Sequence, residues 1–122
     1  MSPATNLVRA VLLVTGFAGS GCGSMDMMPA PPSDLMAIEL LGGAHLTWKD
    51  NSDNEASFMI ERKVGAGVFA ELITVPFDTT QHHDEPLVVG ETYVYRVMAM
   101  PKSGGHPDGR SSNEVTFKLA GP

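Results

Sequence analysis

The chain has 122 residues, enough for one domain of ordinary size. Its net charge is −6 at pH 7, and the basic residues Lys49, Arg62, Lys63, Arg96, Lys102, Arg110 and Lys118 are scattered. No basic stripe is left for a phosphate backbone, so no nucleic-acid partner is expected. A single cysteine, Cys22, excludes an internal disulfide and a cysteine-based zinc site, and any fold must be held by its hydrophobic core.

Arg9 precedes a short apolar run from Ala10 to Ala18. About ten apolar residues cannot cross a hydrocarbon core, which needs roughly 20, but they match the apolar region of a secretory signal. Gly19-Ser20-Gly21 and Cys22 follow. This cluster resembles the processing site of a bacterial lipoprotein, in which a leucine and two small residues precede a cysteine. Ser20, Gly21 and Cys22 fit, and Gly19 stands where leucine is usual. The resemblance implies that residues 1–21 are a signal peptide that is removed, and that Cys22 is lipidated and becomes the mature N-terminus. The protein would then be exported and held at a bacterial membrane through lipid alone; without lipidation the same segment implies secretion. Residues 22–32 are short, unperiodic and end in Pro29-Ala30-Pro31-Pro32, the composition of a tether. The ten residues from Gly23 to Pro32 reach at most about 33 Å.

From Ser33 the pattern is of strands and turns. Leu35 to Leu41 is an apolar run stopped by Gly42-Gly43. Ala44, Leu46 and Trp48 alternate onto one face, and Asp50 to Glu55 is a polar turn whose short side chains bond nearby amides. Phe58 and Ile60 point one way in the next run, which Gly65-Ala66-Gly67 ends. In Phe69 to Val75 the adjacent Leu72 and Ile73 leave the inward face ambiguous. Thr79 to Asp84 is a polar, edge-like strand, and Leu87 to Gly90 forms a corner. Thr92 to Met100 places Tyr93, Tyr95, Val97 and Ala99 on one side; after the Gly/Pro-rich loop from Lys102 to Arg110, Val115, Phe117 and Leu119 share a face. About seven short strands with period-two alternation predict an all-β, antiparallel fold.

The ordered set Leu46-Thr47-Trp48, Asp50-Asn51-Ser52, Phe58, Ile60-Glu61-Arg62, Asp84, Leu87, Gly90, Tyr93 to Ala99 and Ser112-Asn113-Glu114 resembles the fibronectin type III family. The resemblance runs from about Pro31 to Leu119. It implies a seven-stranded immunoglobulin-like β-sandwich over residues 33–120. Leu46, Trp48, Phe58, Ile60, Leu87, Tyr93, Tyr95, Val97 and Phe117 would form its core, with Trp48 at the centre. Tyr93 would serve as the corner tyrosine whose hydroxyl bonds upstream backbone. The family mostly binds and spaces, so the implied role is a non-catalytic module contacting protein or glycan at the cell envelope, with no cofactor. The alternatives are a passive spacer and an accessory to a separately encoded, secreted carbohydrate-active enzyme.

No residues form a recognisable nucleophile–base pair or pair of facing carboxylates, so no enzyme chemistry is expected. Asp50-x-Ser52-x-Asn54 with Glu61 resembles a calcium loop, but Glu55 occupies the position that needs glycine, and a structural turn is the reading adopted. His82 and His83 alternate across a strand and cannot easily share one ion; His82 is expected to pack. Asp108-Gly109-Arg110 is read as a plain turn. The outward side of the third and sixth strands collects Met59, Val94, Met98 and Met100 near Glu61 and Arg96. If exposed, these four would form an adaptable partner face; the alternative is that the neighbouring loops cover them.

Overall fold

The computed structural model describes residues 28–107 and 109–121. The expected signal peptide, Cys22 and the first part of the tether lie outside the described residues, as does Asp108. Seven strands follow one another: β1 Ser33–Leu40, β2 Gly43–Lys49, β3 Glu55–Val64, β4 Ala70–Pro76, β5 Gln81–Asp84, β6 Thr92–Pro101 and β7 Val115–Lys118. They form two antiparallel sheets, one ordered β1-β2-β5 and the other β4-β3-β6-β7. No helix occurs among the described residues.

The alternation explains why the sheets face each other. Leu35, Ala44, Leu46 and Trp48 come from one sheet, and Phe58, Ile60, Val75, Tyr93, Tyr95, Val97, Ala99 and Phe117 from the other; all are buried in a single cluster closed by Leu87 and Leu119. Trp48 meets Phe58 edge-on, with ring centroids 5.9 Å apart, an arrangement that suits the charge distribution of two aromatic rings. The Tyr93 hydroxyl accepts the Val88 amide at 2.8 Å, pinning the corner before β6. A bulge in β4 resolves the adjacent Leu72 and Ile73. Ile60 pairs with Ile73, but Glu61 pairs with Glu71, so Leu72 is the extra residue and packs against the core.

The strand directions define two ends. The chain enters at one end, beside the 50–54, 77–80 and 102–110 loops. Arg110 donates to the Pro29 carbonyl at 3.3 Å and Asn51 to the Pro31 carbonyl at 3.0 Å, so the lead-in to β1 is clamped there. The opposite end carries the β1–β2 turn, the β3–β4 hairpin and the β5–β6 corner. At that turn Leu41 and Gly42 both take positive φ, 51° and 80°, the pairing a tight two-residue hairpin demands. Gly43 is required for another reason: a Cβ there would run into the backbone of Asp84.

Candidate functional site

Within the sandwich the fold gathers three polar side chains. Asp84, at the inward end of β5, accepts from Arg62 Nη1 at 2.9 Å and from the Tyr95 hydroxyl at 2.6 Å on the same oxygen, Oδ2. The Arg62 guanidinium also lies 5.5 Å from the centre of the Tyr93 ring. Burial and the neighbouring Asp84 carboxylate drive the Tyr95 hydroxyl far above its ordinary range. Burial opposes the Arg62 charge, but the bond to Asp84 outweighs it and raises the guanidinium pKa. A hydroxyl held protonated and an arginine held charged supply neither base nor nucleophile near neutral pH. The cluster is an interior tie between β3, β5 and β6.

On the outward side of β3 and β6 the residues of the candidate partner face are covered. Met59 and Met98 stand opposite each other in register, yet they are only 6% and 2% exposed, and Val94 is buried as well. Met100 is half-buried. The four do not form an open partner face. Met98 bridges to Ser111, drawing the chain after the 102–110 loop against this strand, and Pro107 in that loop is itself fully buried. Further along, Arg96 bonds Glu61 at 2.7 Å and lies 3.9 Å from the centre of the Phe69 ring, so a charged, ring-capped group occupies the adjoining surface.

At the chain-entry end, Asp50, Glu55 and Asp78 bring carboxylate oxygens within 4.8 Å of one another. Asp50 caps the turn by accepting the Ser52 amide at 3.0 Å, and Glu55 accepts the Ser52 hydroxyl at 2.8 Å. Burial pushes Asp50 up, and Glu55 adds to the rise against the Ser52 amide. Burial would raise Glu55 too, but hydrogen bonds from backbone, Ser52 and Asp50 outweigh it and hold Glu55 below its usual value. These are oxygen donors of the kind a hard divalent cation takes. The set is not the one the loop spacing suggested. Glu61 is occupied with Arg96, while Asp78 arrives from the β4–β5 connection, which no local spacing could reveal.

The histidines separate as strand alternation requires. His82 lies opposite Leu46 on the inward side, and His83 opposite His45 on the outward side. The fold therefore pairs His45 with His83, ring centroids 6.0 Å apart. Their Nε2 atoms engage Gln81 at 3.2 Å and Glu85 at 2.9 Å. That pairing depends on the β2–β5 register, which is invisible within either strand alone.

No family model matches the chain, and neither does any curated protein sequence. Solved structures do. A Fn3-like protein from Clostridium thermocellum superposes with a TM-score of 0.60 at 24% identity, covering 78% of this chain and 97% of that one. The FN3 domain of human collagen XX gives 0.59 at 16% identity, over 74% and 90%. A β-1,2-glucanase from Parabacteroides distasonis gives 0.63 at 16% identity; the match covers 78% of this chain but only 14% of the enzyme. The chain has the fibronectin type III fold.

On this fibronectin type III sandwich two clefts, one lined by residues between Arg62 and Leu72 and one by Asp53, Glu55, Phe77 and Lys102, hold about 250 and 260 Å³, each below the ~300–1,000 Å³ of ordinary small-molecule sites. The larger statement is made by the surface. At the end opposite chain entry, Leu41 is 85% and Val68 82% exposed, and Val88 and Val89 are exposed at the β5–β6 corner of the same end. Three separate loops thus present aliphatic tips at one end, with Glu39, Glu85 and Glu91 exposed in the same region. Phe77, at the other end, is the one Phe, Tyr or Trp ring that is exposed among the described residues.

Proposed function

We propose that the chain is a non-catalytic binding module of the cell envelope, anchored through lipid on Cys22 and turning its far end toward a protein partner. The observation that carries this reading is the set of exposed aliphatic tips, Leu41, Val68 and Val88, at the end away from the clamped lead-in. A loop tip gains no stability from an exposed leucine or valine, so those side chains are available to a partner's apolar surface. The nearby carboxylates favour a partner with basic residues around that surface. The locked Asp84–Arg62–Tyr95 tie and the small clefts favour binding over turnover. The glucanase likeness keeps an accessory role in view, but sugar recognition by stacking would call for more open rings than Phe77.

Two measurements test the proposal. Intact mass of the membrane fraction should give a chain beginning at Cys22 with added acyl mass; an unmodified chain starting elsewhere rejects the anchor. A photo-crosslinking residue at Val68 should capture one discrete envelope protein, whereas the same group at Thr116, on the side of the sandwich, should not. Equal capture from both positions, or none from either, leaves a passive spacer.

A further inference from the structure

We propose that a second copy of this chain docks along the open edge of β1, antiparallel about a two-fold axis at Ile38. β1 pairs with β2 on one side and has no strand on the other among the described residues. Which backbone groups face that open edge follows from two independent bonds. Trp48 N–H donates to Thr80 O on the β5 side, so the intervening Thr47 and His45 turn toward β1. Their partners Met36 and Ile38 therefore face β2, and Ala37 and Glu39 face outward along the edge. Asn113 confirms the phase: its side chain accepts Leu35 N–H at 2.9 Å and donates to Leu35 O at 3.0 Å from the far side. Asn113 also marks where the open stretch begins, leaving Met36 to Leu41 free.

The other sheet edges are guarded and this stretch is not. β4 carries Glu71, the Leu72 bulge and Pro76; β5 and β7 are four residues each, with Pro86 just after the first and Lys118 ending the second. Charge, proline, bulges and shortness are the usual defences against edge pairing. Beyond the irregularity between Ser33 and Met36, β1 has one charge, Glu39, and no proline. Its solvent side is a row of Met36, Ile38 and Leu40, the first two more than half exposed.

A second copy fits this edge better than another occupant because the row is self-complementary. With the axis at Ile38, Ala37 of one copy meets Glu39 of the other, and both have free N–H and C=O groups aimed across. Ile38 meets Ile38, and Met36 meets Leu40, so the apolar rows fuse into one patch. The only charge faces an alanine, and no like charges are opposed. Pairing through Glu39 against Glu39 would shift this register and is penalised by repulsion. The chain's own lead-in is unsuited, since Pro29 and Pro31 are held at the opposite end of the strand.

The test uses the full chain with Cys22→Ser, so that an introduced cysteine is the one thiol. Ile38→Cys would bring two Cα atoms to about 4.5 Å as a non-hydrogen-bonded pair, within disulfide reach. It should oxidise to dimer roughly tenfold or more faster than His45→Cys, one strand further in on the same face, because pairing raises the effective thiol concentration. Sedimentation should show the Cys22→Ser chain dimerising with concentration, and Ile38→Lys, checked as folded by circular dichroism, remaining monomeric. Equal oxidation rates, or a chain that stays monomeric up to about 1 mM, would overturn the proposal, including the case in which an added extended peptide pairs with β1 instead.

Discussion

Tyr93 and Tyr95 sit two positions apart on one face of β6, and their hydroxyls act in opposite senses. Tyr93 accepts an amide from exposed Val88, which water can serve if the hydroxyl is lost. Tyr95 donates into the buried Asp84 carboxylate. Tyr95→Phe should therefore cost about 1–3 kcal/mol and Tyr93→Phe about 0.5–1.5 kcal/mol, an order that urea unfolding of the two variants checks directly. His82 sets a pH dependence. Burial lowers its pKa below the ordinary 6.5, with His83 and His45 adding to the effect against the pull of Asp84. A base with a depressed folded pKa takes its proton more readily in the unfolded chain. Its contribution is complete above about pH 6.5 and falls away as pH drops from there toward the folded value. Between pH ~7.5 and ~5 the wild-type urea midpoint should fall more than that of His82→Phe; parallel losses would show that other groups carry the change.

At the scale of strands, the pattern of short apolar runs and turns located all seven elements, and period-two alternation gave the inward side of β2, β3, β6 and β7, because burial on one face writes itself into neighbouring residues. Trp48, Phe58, Tyr95 and Val97 were legible for that reason. The bulge at Leu72 was legible only as an ambiguity, since a local sequence does not state where its partner strand inserts a residue. Alternation also says which way a side chain points, not what lies over it. Met59 and Met98 do point away from the sandwich core, yet they are buried, and the Ser111 segment that bridges to the edge of β6 comes from beyond a long loop. The acidic set and the His45–His83 pair were hidden for the same reason, being assembled across connections. Met98→Ala should thus behave as a core substitution, costing about 2–5 kcal/mol in chemical denaturation, where an exposed methionine would cost almost nothing.

For the molecule as a whole, the decisive asymmetry is that one end receives the chain and the other displays its apolar tips. That orientation rests on a clamp of few bonds. Arg110 holds Pro29, Asn51 holds both Pro31 and the Ser33 hydroxyl, and Pro29 is buried. Proline supplies no amide to a ladder, so these side-chain contacts, more than strand pairing, hold the lead-in. Released, residues 29–32 would add roughly 13 Å of extended chain to any tether and let the sandwich tumble relative to it. The clamp lies at the surface and outside both sheets, so Asn51→Ala with Arg110→Ala should change global stability by about 1 kcal/mol or less. Its effect should be local. Hydrogen exchange at the Ala30 and Ser33 amides should quicken in the double variant, while Tyr95 and Val97 in β6 exchange as before. Unchanged protection at Ala30 and Ser33 would mean that the lead-in is fixed by the burial of Pro29 alone, and that orientation could be altered only by substituting that proline.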